Sequence, residues 1–158
     1  MPKVGPFELT EARALFEGEA AALAAPMITD EAIAELENYI DIMSGKVKAD
    51  MTAAEADEAF HLAIARATNN HAIIFVITSM WMMRNEAAQL QKVYTDVCYK
   101  DSSHREDEHL AILVALKNRD SAAARSAMRA HFTRIIEALI RDTEEEGYQE
   151  VQRKVSES

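Results

Sequence analysis

The stretch from Ala72 to Met83, AIIFVITSMWMM, constrains this chain most, because it is apolar on every side and broken only by Thr78 and Ser79. Spanning a bilayer takes about 20 such residues, so this run is too short to be a membrane helix. It has to be covered by the rest of the chain, and it reads as a core helix at the centre of the fold. With only 4 glycines and 3 prolines in 158 residues, long helices are rarely interrupted. Alanine and methionine are frequent and β-branched residues are not clustered, which favours an all-α protein of one domain.

Periodicity and caps divide the chain into an antiparallel bundle of about six helices. Residues 1–6 read as a linker or cut edge. The first helix runs from Phe7 or Glu8 to Ala24, with Leu9, Ala12, Phe16, Ala20 and Leu23 as its apolar stripe and Pro26 as its stop. Thr29 or Asp30 caps the second, which turns Ile33, Leu36, Ile40 and Met43 inward and ends at Gly45. Asp50 or Thr52 caps the third. Asn70 caps the fourth, expected to reach Tyr94 or Asp96, and the fifth runs from Ser102 or Ser103 to about Asn118. Asp120 or Ser121 caps the sixth, which passes Met128, Phe132, Ile135, Ile136 and Leu139 and is expected to fray in Glu144-Glu145-Glu146-Gly147. The bundle thus covers 7–147, and 148–158 is expected to be a polar, mobile tail.

A formal charge of −10 argues against nucleic-acid or anionic-membrane binding through this surface. Cys98 is the only cysteine, so no intrachain disulfide can form and a reducing compartment is expected. The amino terminus lacks an apolar run after a basic start, so the expected location is cytoplasmic.

Chemistry enters with the histidines. Asp57 and His61 lie one turn apart on the third helix and can share one metal ion. His109 has Ile112 and Leu113 at i+3 and i+4, and His131 has Met128 and Ile135 at i−3 and i+4, so both face inward. A single buried histidine is usually a core residue satisfied by one hydrogen bond. Three on three helices need partners, and one metal ion satisfies all of them. His71 opens the fourth helix as a surface or capping residue, and His104 lies about 140° round the helix from His109. The candidate ligands are therefore Asp57, His61, His109 and His131, a set suited to zinc, nickel or manganese, among which affinity order alone does not choose.

Three runs also resemble a known family. FHLAIARATNNHAI, preceded by Asp57, is similar to D-x-x-F-H-x-A-[IL]-A-x-A-[ST]-x-N-P. EHLAILVALKNRDSAAARSAMRAHF resembles E-H-x-A-I-x-x-A-[IL]-x-x-x-D-x-x-x-A-x-x-x-[ML]-x-x-H. EARALFEGEAAALAA resembles E-x-R-x-x-[LF]-E-x-x-A-A-x-x-A-A. These patterns belong to the FCD domain, the carboxy-terminal effector-binding half of FadR-type GntR transcription regulators. One departure is His71 where the family usually has proline. The resemblance implies a metal on the same four residues, a small carboxylate effector at or beside it, and a homodimer. The family arginine falls on Arg13, a candidate carboxylate clamp whose alternative role is an ion pair with Glu17 at i+4. Arg84 is a second candidate, with simple exit to solvent as its alternative. DNA binding would come through a winged helix-turn-helix domain that this chain does not include, so the chain reads as either an excised effector domain or a stand-alone relative, with the opening Met1-Pro2-Lys3 favouring excision.

The resemblance implies a sensor without turnover. A competing possibility is a di-iron carboxylate enzyme, because Glu58-x-x-His61 and Glu106-x-x-His109 are two E-x-x-H motifs on different helices. Such a site also needs two further glutamates, for which Glu17, Glu35 or Glu86 can be proposed, and it leaves His131 unexplained. A metal-free helical interaction module is the third possibility.

Overall fold

A computed structural model describes residues 3–86, 92 and 102–157. They form helices α1 (Pro6–Ala24), α2 (Asp30–Met43), α3 (Ala53–Ala67), α4 (His71–Glu86), α5 (Ser102–Lys117) and α6 (Ser121–Ser156). No strand occurs among the described residues. The chain is an all-α bundle, as expected. The predicted continuation of α4 to Tyr94 or Asp96, and Cys98, lie outside the described residues.

The helix starts follow local chemistry. Pro6 opens α1 at a position where its missing N–H costs nothing. The Thr29 side chain accepts from the Ala32 amide. Thr52 and Glu55 form a reciprocal capping box, at 3.1 and 2.8 Å. Asn70 Oδ1 accepts from the amides of Ala72 and Ile73, and Asp120 from that of Ala123. Gly45, with φ +75°, lets the chain turn left-handed at the end of α2.

One core runs through the bundle, built on Leu9, Leu36, Phe60, Trp81, Leu116 and Phe132. α1 packs chiefly on α6, α3 lies against α1, α2 and α4, and α5 lies against α2 and α6. Three expectations need correction. In α1, Phe16 and Leu23 are about half exposed, whereas the buried face holds Leu9, Thr10, Arg13, Glu17, Gly18, Ala20, Ala21 and Ala24. The reason is close approach: a Cβ on Gly18 would lie 3.0 Å from Arg129 Cγ, so α1 meets α6 through its smallest residues. The α4 helix is not central either. Only Ile77, Met80, Trp81 and Arg84 are buried, and Phe75 is 73% exposed with Met82 and Met83 beside it. A helix that reaches the core along one edge buries one stripe, however apolar its other sides are.

Third, α6 does not end at Glu144–Gly147 but continues to Ser156. Its last turns are rich in Glu, Gln, Lys and Arg, all good helix formers, and Gly147 alone is too small a penalty to stop them. Pairs one turn apart add support, such as Lys154–Glu150 at 2.9 Å. Every residue from Thr143 to Glu157 is exposed. Truncation after Gly147 is therefore expected to change unfolding free energy by less than about 0.5 kcal/mol, measured by urea titration.

Candidate metal centre

The three inward histidines meet. His61 from α3, His109 from α5 and His131 from α6 place one ring nitrogen each within 4.8 Å of one another, and all three residues are buried. Asp57, one turn before His61, brings Oδ1 to 2.9 Å from His109 Nε2 and 3.5 Å from His61 Nε2. The three histidines thus form one cluster with Asp57 against two of them, inside a wall of Phe60, Trp81 and Phe132 rings.

Each imidazole is held from its far side. His61 Nδ1 lies 2.7 Å from Glu17 Oε1, His109 Nδ1 lies 2.6 Å from the Arg105 carbonyl, and His131 Nδ1 lies 2.8 Å from Glu108 Oε1. A carbonyl or carboxylate oxygen can only accept, so Nδ1 is the donor in all three rings. Nε2 is left pointing inward. The buried Nε2 of His61 has no hydrogen-bond partner at all. Three buried imidazole nitrogens, with a carboxylate oxygen against two of them, are a donor set that suits a divalent metal ion, and each imidazole is oriented from behind. The residues fit the ion that the sequence implies.

Electrostatics agree with that layout. Burial alone would raise Glu17, but the charges of His61 and Arg13 outweigh it and bring its carboxyl down to about 2. Burial likewise opposes ionisation of Asp57, yet its contacts with His109 and His61 hold it well below the usual carboxylate range. Burial works against a charged His61, but Glu17 and Asp57 raise it to about 9. His131 goes the other way, pushed well below its ordinary value by burial and by the neighbouring His109 and His61. Burial also raises Glu108, despite the Arg134 guanidinium against it.

Beside the imidazoles is a cavity of about 10 Å³, room for one water at most. Arg13, Arg84, Arg105 and Arg134 line it, together with Asp57, His131 and Ile135. Arg13 and Arg84 both lie over the Trp81 ring, 4.2 and 5.0 Å from its centre. Arg13 Nε also binds Glu17 Oε2 at 3.0 Å, so the ion pair offered as its alternative role is present and Arg13 lines the cavity as well. Arg84 is buried rather than leaving for solvent. Sequence reasoning missed Arg105 and Arg134, since neither lies on an apolar stripe. It also missed Glu108 as the support of His131, although Glu108 stands beside His109 in the second family motif.

The FCD domain model matches residues 8–134, which include every residue of this centre. The chain belongs to the FCD family. Over 136 residues this FCD domain is 29% identical to the Uxu operon regulator of Haemophilus influenzae, covering 85% of this chain and 51% of that protein. It is 30% identical over 149 residues to the Glc operon transcriptional activator of Escherichia coli, covering 90% and 58%. The domain spans about half the length of the curated relatives it matches. Among solved structures, Escherichia coli McbR/YncC superposes with a TM-score of 0.73 at 22% identity, over 90% of this chain and 72% of that one. Streptococcus agalactiae GntR gives 0.67 at 22% identity, over 84% and 58%. At that identity the likeness is one of fold.

The raised His61 sets a pH dependence for the metal-free domain. A base held above its ordinary 6.5 stabilises fully below 6.5, and that contribution is lost as pH climbs through about 9. The melting temperature of chelator-treated protein is expected to fall between pH 7 and 9.5, and His61→Asn to flatten that slope, as read by circular dichroism.

Proposed function

We propose that this FCD domain is the effector-sensing part of a cytoplasmic, homodimeric GntR/FadR-type bacterial transcription regulator. It holds one divalent metal, zinc first with nickel or manganese as alternatives, on Asp57, His61, His109 and His131. A small organic acid binds at or beside that metal, with Arg13 and Arg84 as its clamp, and the change passes to an attached DNA-binding domain. The observation that carries the metal half is the buried His61 Nε2 with no partner, facing two other imidazoles and Asp57. The regulatory half is supported by relatives named as operon regulators.

A bound divalent ion supplies an electrophilic anchor for carboxylate or hydroxyl oxygens. The chain's own residues supply orientation, charge and exclusion of water. The cavity is too small for an organic acid, so binding one requires its arginines to shift. That is the condition for linkage: a ligand moves a population only through unequal affinity for two states. No helix among the described residues is long and apolar enough to cross a membrane.

The di-iron alternative is disfavoured by where its glutamates go. Glu106 is bound to Lys46 at 2.7 Å near the surface, and Glu58 accepts from Asn85 at 3.0 Å. Neither E-x-x-H glutamate is placed as a bridging ligand, and the matched relatives are named as regulators.

Elemental analysis of protein purified without chelator is expected to give one metal per chain. Zinc at about 100 times its dissociation constant is expected to stabilise the chelator-treated domain by about 2.7 kcal/mol. His109→Ala and His131→Ala are expected to abolish that shift, and an equal shift in both variants would refute the ligand assignment. In a carboxylate library screened by thermal melting, any acid that stabilises the zinc-loaded protein is expected to lose its effect with Arg84→Gln.

A further inference from the structure

The supports behind the three imidazoles are not equivalent. His109 leans on a backbone carbonyl of its own helix, one turn back. His131 leans on Glu108, which is partly exposed and shared with Arg134. His61 leans on Glu17, a carboxylate 44 residues away on another helix, with both side chains at least 98% buried. Glu17 is itself fixed on every side. Its Oε2 takes Arg13 Nε at 3.0 Å, and its Oε1 takes His61 Nδ1 at 2.7 Å with Trp81 Nε1 at 3.5 Å.

From this arrangement we propose that Glu17 is the positioning residue of the metal centre, fixing which nitrogen of His61 faces the ion and holding Arg13 beside the cavity through its other oxygen. The inference rests on the metal-holding reading above. Its physical content is specific. With Glu17 in place, His61 can offer only Nε2 inward, because Nδ1 donates to a buried carboxylate that has no room to move. Without Glu17 the ring loses that orientation, and the metal loses a preset ligand. One carboxylate therefore serves the metal ligand and the candidate acid clamp together, which makes α1 part of the centre although it contributes no ligand.

Zinc affinity measured by competition with a chromophoric chelator tests this, in wild type, Glu17→Gln, Glu17→Asp and Glu17→Ala. Partners that orient metal ligands from behind are worth about 10- to 100-fold in affinity. Glu17→Ala is expected to weaken zinc by that factor, and Glu17→Asp to weaken it too, because its shorter arm cannot reach His61. Glu17→Gln keeps an acceptor and is expected to lose less, which also serves if Glu17→Ala fails to fold. A second readout is the Nδ1 proton of His61 in zinc-loaded protein by nitrogen-15 NMR. It is expected to be far downfield and slow to exchange in wild type, and to move upfield in Glu17→Gln. Variants with a lower melting temperature but unchanged zinc affinity and an unchanged Nδ1 resonance would reduce Glu17 to a structural ion pair and overturn the inference. A wild-type domain that takes up no zinc would overturn the metal reading as well, so the two failures are told apart by the wild-type arm.

Discussion

Three imidazoles share the dry centre of this bundle, and every one needs an acceptor behind it and something to meet in front. An unsatisfied buried polar group costs about 1–3 kcal/mol, a large fraction of what a domain of this size has in reserve. That requirement reaches well beyond the histidines. It brings α1 close enough for Glu17 to touch His61, which is possible because Gly18 and the alanines after it offer α6 a nearly flat face. It sets Glu108 one residue before His109 so that one turn of α5 both supplies a candidate ligand and supports the candidate ligand of α6. It places Trp81, the largest side chain of the core, where its indole N–H leans on the same Glu17 and its ring carries two guanidinium groups.

Much of this was legible in the sequence, and the reasons are local. The helix starts at Thr29, Thr52, Asn70 and Asp120 are written in side chains that cap their own backbone. His109 and His131 stand among apolar neighbours at helical spacing, so their facing is fixed by geometry before any family is considered. The misreadings have equally physical causes. Phe16 and Leu23 satisfied the helical period, but a helix that packs through Gly18, Ala20, Ala21 and Ala24 turns its bulky residues away from the closest contact. Phe75 and Met82 looked like core because the whole α4 stretch is apolar, and periodicity carries no information when every side is alike. Arg105 and Arg134 lie at half-polar positions of α5 and α6. Only the assembled bundle shows that they open onto the same space as Arg13 and Arg84.

The proposed sensing role is also supported on local grounds. General acid–base catalysis needs an acid or base free to exchange a proton with a substrate. Around this centre the carboxylates of Glu17 and Glu108 are engaged by histidine and arginine, while those of Glu58 and Glu106 are bound elsewhere. What the centre has in abundance is fixed positive charge and imidazole, which suit holding an anion more than transforming one.

The spacing of the centre along the chain has a further consequence. Glu17 meets His61 across 44 residues, Asp57 meets His109 across 52, and Glu108 meets His131 across 23. No single helix holds the site, which draws Glu17 from α1, Asp57 and His61 from α3, Glu108 and His109 from α5 and His131 from α6. Occupancy of the proposed metal centre would be a gauge of the whole domain's integrity. A chain that is only partly folded, newly made or damaged, would then read as empty however much ligand surrounds it.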